Sequence, residues 1–122
     1  MKVLWVCNCL PRTVAMAAGR NYSNKEGWLD GALGKLIQSD IEDNDRDSII
    51  PALAVPVSAQ NKEISDLRRS DIDMGRGCII TLYEYKEDIN HPENYDSNLE
   101  QVFNKIINDC KPDIVHVFGT EL

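Results

Sequence analysis

The sequence lacks the long hydrophobic runs that membrane helices need. No stretch of its 122 residues approaches the roughly 18 consecutive apolar residues of a spanning helix. The run from Met1 to Cys7 is apolar, but Asn8 and Pro11 follow too soon for a signal peptide. We therefore expect a cytoplasmic protein, with the inner face of the membrane as a further location.

Cysteine occurs only four times, and its spacing argues against metal and disulfide scaffolds. Cys7 and Cys9 are two residues apart, Cys78 and Cys110 are isolated, and no C-x-x-C pair occurs. Four cysteines in a chain of this length do not make a disulfide framework, and structural zinc sites use a different ligand spacing. We interpret the cysteines as small core residues and expect no metal site.

Nucleotide-binding fingerprints and recognisable catalytic sets are also missing. The chain contains neither G-x-G-x-x-G nor G-x-x-x-x-G-K-[ST], so it has no dinucleotide fingerprint and no P-loop. No Ser/His/Asp or Cys/His arrangement can be defended from spacing alone. The sequence therefore predicts no catalytic residue and no bound cofactor.

Charge is plentiful but unevenly distributed. The formal net charge is −7, which opposes nonspecific nucleic-acid binding because that binding needs Lys and Arg to neutralise phosphates. Residues 1–37 nevertheless hold five basic and two acidic residues, whereas residues 38–122 hold eight basic and 18 acidic ones. The basic amino-terminal segment suits a phosphate-bearing ligand or an anionic lipid surface, or is a chance cluster.

Strand-like and helix-like segments alternate along the chain. Two capping boxes, Ser23 with Glu26 and Ser97 with Glu100, start amphipathic helices. Short apolar runs rich in β-branched and aromatic residues predict strands, and these are Lys2 to Cys7, Ile49 to Val57, Cys78 to Tyr85 and the buried run Ile114 to Phe118. This alternation predicts an α/β fold of one domain, with a Rossmann-like parallel sheet and helices on both faces.

Several segments fit that pattern less well. Residues 8–22 are predicted as a long loop, and Pro51 and Pro56 suggest that the second strand is broken or near an edge. Residues 60–77 are ambiguous, because Lys62 to Leu67 fit either a helix or the first arm of a hairpin, and residues 73–77 signal a turn. Gly27, Gly31 and Gly34 each disfavour the first helix, which we explain by a close approach to the sheet or to a ligand.

Ligands of such sheets bind beyond the carboxyl ends of the strands, where the strand order reverses. The loop after the first strand and the start of the first helix reach that edge, and so does the segment after the last strand. Free N–H groups at a helix start favour anions. The predicted ligand-facing residues are Asn8, Asn24, Lys25, Gly27, Thr120 and Glu121, with His116 as a further candidate whose more frequent role in such a strand is core packing. The pair Arg68-Arg69 is interpreted as a solvated charge cluster, and Trp28 as a core residue.

Three segments together resemble a known family. Lys2-Val3-Leu4-Trp5-Val6-Cys7-Asn8, Asn24-Lys25-Glu26-Gly27-Trp28-Leu29 and Lys111-Pro112-Asp113-Ile114-Val115-His116-Val117-Phe118-Gly119-Thr120-Glu121 look like the amino-terminal domain of a family-4 retaining glycosyltransferase. The resemblance runs through the whole chain in order, and its last segment is the most specific. The Gly-Gly pair common in the family's first loop is absent here.

The resemblance implies a GT-B architecture, of which residues 1–122 would be the acceptor-side half without the donor-binding domain. The complete enzyme would move a sugar from a nucleotide-sugar to a glycan or lipid-linked acceptor, as in cell-envelope polysaccharide synthesis, without a metal. Its catalytic residues and an E-x7-E motif would lie beyond residue 122, and the fragment alone would be inactive. Peripheral membrane contact and self-association through an exposed sheet edge are further expectations.

Two other classes remain open at this point. A flavodoxin-like or receiver-like binding or signalling module would share the fold class. A receiver needs acidic residues after the first strand, where this chain has Cys7, Asn8 and Cys9, and a flavodoxin needs a Ser/Thr-rich phosphate loop there. An interaction domain without any ligand would instead show a large apolar surface.

Overall fold

A five-stranded sheet organises the chain. The structure is a computed structural model and describes residues 1–20, 30–35, 50–58, 66–75, 77–87 and 97–118. The described elements, with helical residues 30–35 labelled α2, are in chain order β1 (Lys2–Val6), α1 (Arg12–Ala18), α2, β2 (Ile50–Ser58), β3 (Leu67–Asp73), β4 (Ile79–Glu87), α3 (Ser97–Cys110) and β5 (Ile114–Val117). None of the helices in these ranges is long and apolar enough to cross a membrane.

The strand order is β3-β4-β2-β1-β5. β1 pairs in parallel with β2 and β5, and β2 pairs in parallel with β4, while β3 is antiparallel to β4. The order therefore reverses between β1 and β5, as parallel crossover connections on either side of a first strand produce. The predicted α/β class with a mostly parallel, Rossmann-like sheet is confirmed, and β3 and β4 form the hairpin alternative for residues 60–77.

Both faces of the sheet are covered by helices, as the alternation predicted. Because side chains alternate along a strand, odd-numbered residues of β1 and β2 face one way and even-numbered residues the other. One core joins Trp5, Leu53 and Leu82 to Val14 of α1 and Leu33 of α2. The other core packs the sheet against α3 and includes Leu4, Ala54, Tyr83, Tyr85, Val102 and Ile106.

The two prolines of β2 do not interrupt it, contrary to the expectation of a broken or edge strand. The bonds Ile50 N–H to the Met1 carbonyl and Cys7 N–H to the Ala54 carbonyl show that even-numbered residues of β2 face β1. Pro51 therefore faces β4, whose pairing starts only at Ala52, and Pro56 faces β1, whose pairing ends at Ala54. Each proline lies where no ladder donor is required, so β2 is continuous and central.

The hairpin turn follows its glycines, as predicted. Gly75 and Gly77 have φ of +85° and +77°, values that glycine adopts without steric cost. The Asp73 carboxylate accepts a 2.8 Å hydrogen bond from Gly75 N–H. The arm before this turn is Leu67–Asp73, which lies later than the predicted segment Lys62 to Leu67.

A helix lies where a long loop was predicted for residues 8–22. α1 starts after Pro11, ends at Gly19 with φ of +69°, and contains three alanines and a methionine. Its first turn is capped from a distance, because Asp30 accepts a 2.7 Å hydrogen bond from Thr13 N–H. Proline before a helix and glycine after it are ordinary boundary signals. The apolar residues between them span only seven positions, which is too short a segment to show a helical period.

Two details of the predicted helices are also corrected. Gly31 and Gly34 are exposed, and a β-carbon added at either would meet nothing within 4 Å. Close approach to the sheet or to a ligand therefore does not explain them. In α3, the helical period also predicts that Ile107 shares the apolar face with Phe103 and Ile106, but Ile107 is 43% exposed. Gly27, Trp28 and the Ser23–Glu26 capping box lie outside the described residues, as does the side chain of Ser97.

The last strand is parallel to β1 as predicted, but it is not buried. All four residues of β5 are exposed, with Ile114 at 47% and Val117 at 52%. β5 is an edge of the described sheet, so β1 covers only one side of it. Its alignment is fixed at the start, where Lys2 N–H donates to the Asp113 carboxylate and Asp113 N–H to the Lys2 carbonyl, both at 2.8 Å.

Candidate functional site

A cleft of about 550 Å³ opens at the carboxyl ends of β1, β2 and β4. It lies on the α1 side of the sheet, where β1 passes into α1. Asn8 and Cys9 after β1, Pro56 of β2, and the end of α1 contribute to its lining. Its volume is in the range of small-molecule sites, and its charged residues are Arg20, Arg68 and Glu84.

Glu84 is the buried acid at the base of this cleft. It follows Ile80 and Leu82 on the same face of β4, at the point where that apolar row reaches the sheet edge. Its side chain is only 3% exposed, and a buried carboxylate is costly unless charged donors satisfy it. The surrounding structure must therefore supply those donors.

Arg68 supplies the first pair of donors. It lies directly opposite Glu84 in the antiparallel β3–β4 register, so both side chains project from the same face. Arg68 Nε donates to Glu84 Oε1 at 2.9 Å, and Nη2 donates to Oε2 at 3.0 Å. Two parallel bonds of this kind fix the plane of the guanidinium group as well as its position.

Arg20 approaches the same carboxylate from the end of α1. Gly19 N–H donates to the Met16 carbonyl and Arg20 N–H to the Ala15 carbonyl, which is the Schellman arrangement that ends a helix at a left-handed glycine. This turn directs the Arg20 side chain toward Glu84, with Nε and Nη2 at 3.3–3.4 Å from its oxygens. Arg20 Nη1 also donates to the Ala18 carbonyl at 3.1 Å.

Arg20, Arg68 and Glu84 together carry a formal charge of +1. The Arg20 and Arg68 side chains are 29% and 27% exposed, whereas Glu84 is almost completely enclosed behind them. In a chain whose formal net charge is −7, this is a local reversal of sign. The cleft therefore offers two oriented guanidinium groups to an anion.

Pro56 contributes to the shape of the cleft. Residue 56 is the next position of β2 that would donate to β1, and proline has no N–H. The β1–β2 pairing accordingly ends at Val6 with Ala54, while β2 continues beside β4 to Ser58. The two strands separate here, and Asn8 and Cys9 leave the sheet to form one wall.

Of the residues predicted to face a ligand, Asn8 is the one that the structure places in this cleft. His116 does not line it. It is an exposed residue of β5 whose ring stacks on Phe118 at 4.1 Å and meets the edge of Trp5 at 6.4 Å, so its interpretation as a core residue is wrong. Five further predicted residues lie outside the described ranges, namely Asn24, Lys25, Gly27, Thr120 and Glu121.

The three charged residues of the cleft were not predicted from the sequence. Arg68 and Arg69 were interpreted as a solvated cluster, which is wrong for Arg68 because its guanidinium group is bound to a buried carboxylate. The available signal was Glu84, a charged residue inside an otherwise apolar strand and flanked by two tyrosines. A buried acid there implies a cationic partner.

A second charged cluster occupies the opposite face of the hairpin. Arg69 Nη1 lies 3.2 Å from Asp109 of α3, and the Tyr83 hydroxyl donates to the same carboxylate at 2.8 Å. Burial, followed by this hydrogen bond to Asp109, raises the pKa of Tyr83 well above its ordinary value. Burial also raises the pKa of the neighbouring Cys110 thiol. This cluster fastens α3 to the sheet.

All four cysteines are among the described residues and form no disulfide, and Cys7, Cys78 and Cys110 are buried as predicted while Cys9 is half-buried at the cleft. Among the described residues, no group of three or more His, Cys, Asp or Glu side chains is arranged to hold a metal ion. Comparison of the chain with protein-family models, curated proteins and solved structures gives no significant match.

Proposed function

We propose that this chain is the acceptor-side domain of a GT-B retaining glycosyltransferase, and that its cleft receives the acceptor. The complete enzyme transfers a sugar from a nucleotide-sugar to a glycan or lipid-linked acceptor. The observation that carries the proposal is the polar cleft at the carboxyl ends of β1, β2 and β4, which contains Asn8. Ligands of open α/β sheets bind at that edge.

Two further features support the proposal. The sheet is mostly parallel with helices on both faces, and no nucleotide fingerprint follows the first strand. The cleft lies on the β2 side of β1, and not between β1 and β5, where the strand order reverses. In a two-domain enzyme of this kind, the donor binds mainly to the other domain. An acceptor-side domain therefore needs a polar cleft but no phosphate loop of its own.

The native reading frame gives the first test. The proposal expects it to continue past Leu122 into a second α/β domain of roughly 200 residues that contains two glutamates in the spacing E-x7-E. Calorimetry on residues 1–122 gives the second test, with weak or absent binding of nucleotide-sugars as the expected result. Tight binding of a nucleotide-sugar to this chain alone would contradict the proposal.

A self-contained binding module is the competing candidate. It is favoured by one observation, that Arg20, Arg68 and Glu84 all belong to this chain. Such a module would bind its complete ligand without a second domain. A flavin or nucleotide retained through purification would support this candidate over the glycosyltransferase.

A further inference from the structure

We propose that the cleft binds a phosphate group through the guanidinium groups of Arg20 and Arg68, and that Glu84 positions both of them. Within the glycosyltransferase this phosphate belongs to the acceptor, and that assignment rests on the proposed function. Phosphate binding itself is measured without any sugar transfer. The two ideas can therefore fail separately.

Both arginines are already oriented before a ligand binds. An arginine on an open surface loses considerable side-chain freedom when it binds a ligand. Arg68 has already been ordered by its two bonds of 2.9 and 3.0 Å to Glu84, and Arg20 by Glu84 and the Ala18 carbonyl. Preordered groups bind more tightly because less entropy is lost on association.

Charge also favours an anion in the cleft. Two guanidinium groups surround one enclosed carboxylate, so these three side chains together carry a formal charge of +1. Because Glu84 is 3% exposed while the arginines are 27–29% exposed, an entering anion meets the cations first.

The shape of the cleft also suits a phosphate group. Arg20 comes from the end of α1 and Arg68 from β3, so the two groups reach the cleft from different directions. A tetrahedral phosphate offers oxygens in several directions, whereas a carboxylate offers two in one plane. A cleft of about 550 Å³ also leaves room for a group attached to the phosphate, and the exposed Asn8 amide suits the hydroxyl groups of a sugar.

The test is a titration of the isotopically labelled 122-residue chain, followed through the arginine Nε–H signals in NMR spectra. Inorganic phosphate and glucose 6-phosphate are expected to shift the signals of Arg20 and Arg68, and glucose is expected to shift neither. Arg20→Gln should weaken binding of both phosphate compounds by at least about tenfold. This variant keeps the Arg68–Glu84 pair, and its fold is checked by near-ultraviolet circular dichroism.

Arg69→Gln is the matched control. It removes the same charge from the next residue of β3, but on the opposite face of the sheet, and should bind phosphate as the unchanged chain does. Equal loss in Arg20→Gln and Arg69→Gln would reduce the effect to general electrostatic attraction and overturn the proposal. Failure of both phosphate compounds to shift Arg20 and Arg68 would also overturn it, without bearing on the reading-frame test.

The Glu84→Gln variant distinguishes the role of Glu84 in positioning the two arginines from the effect of its negative charge. It makes the cleft more positive, so charge alone predicts tighter phosphate binding, whereas loss of the positioning carboxylate predicts weaker binding. Weaker binding is expected, and tighter binding in a folded variant would overturn the role of Glu84.

Uridine diphosphate serves as the donor-derived probe. If it bound at Arg20 and Arg68 more tightly than glucose 6-phosphate, the acceptor assignment and the proposed function would both be wrong.

Discussion

Arg68 and Arg69 are neighbours in β3, yet they belong to sites of opposite character. Arg68 binds a carboxylate that is 3% exposed, shares it with Arg20, and faces a cleft. Arg69 binds Asp109, whose side chain is 46% exposed and which also accepts a hydrogen bond from Tyr83. An arginine–carboxylate pair thus belongs to a cationic site on one face of the sheet, whereas a similar pair attaches α3 to the sheet on the other face.

The balance of arginines and carboxylates differs between the two clusters. Two arginines surround the single buried carboxylate of Glu84, so these three side chains carry a formal charge of +1. On the other face, Arg69 pairs with the exposed carboxylates of Asp109 and Asp71, so that cluster carries a formal negative charge and does not attract an anion. Alternation of side chains along β3 is what separates the two clusters.

The largest expected effect comes from removing the two arginines in turn. Arg68→Ala leaves the buried Glu84 with only the longer contacts to Arg20 and should lower the free energy of unfolding by about 3 kcal/mol. Arg69→Ala breaks exposed ion pairs with Asp109 and Asp71 and should cost less than about 1 kcal/mol. Urea unfolding of both variants measures the difference, and equal losses would mean that the two clusters are energetically alike.

A smaller effect is expected from pH. The folded state holds the pKa of Tyr83 above its ordinary value of 10.0, so the unfolded chain loses this proton first as the pH rises. Stability from Tyr83 is therefore complete below pH 10 and falls above it, by up to about 1.4 kcal/mol per pH unit. Tyr83→Phe cannot ionise, and its unfolding free energy should fall less steeply above pH 10. If the unfolding free energies of the two proteins fell equally steeply above pH 10, Tyr83 would not be the source of the loss of stability.

The smallest effect concerns the thiols on the two faces. Cys9 is half-buried at the cleft, whereas Cys110 is buried beside Tyr83 and burial raises its pKa. Since thiolates are the reactive form, iodoacetamide should modify Cys9 before Cys110, as mass spectrometry of digested protein would show. Phosphate should slow the reaction at Cys9 alone. Slowing at both thiols would indicate a general salt effect.

Local signals predicted much of the fold. The strands β1, β2, β4 and β5, the helix that begins at Ser97 and the turn at Gly75 and Gly77 follow from hydrophobic period and glycine, because these signals act over a few neighbouring residues. β3 was left open between a helix and a hairpin arm, and it lies later than the predicted segment. The exposure of β5 did not follow, since an apolar run has the same sequence at the centre of a sheet and at its edge. α1 was missed because seven residues contain too few turns to show a period.

The residues of the cleft were harder to predict from the sequence than the fold was. Asn8 was predicted because its place after β1 is set by local order, whereas Arg20, Arg68 and Glu84 lie up to 64 positions apart. Their meeting depends on strand pairing and on the turn at Gly19. A single sequence shows neither which strands pair nor in which register.

The two prolines of β2 have a consequence for strand alignment. If β1 moved two residues along β2 toward its carboxyl end, Val6 would pair with Pro56, and a carbonyl of β1 would face a ring instead of a donor. If β4 moved toward the other end, it would meet Pro51 in the same way. Hydrophobic pattern alone permits such two-residue slips because they keep each side chain on its own face. Pro51 and Pro56 therefore disfavour these two slips and help to fix the observed alignment of the strands. That alignment places Glu84 near the open end of the sheet.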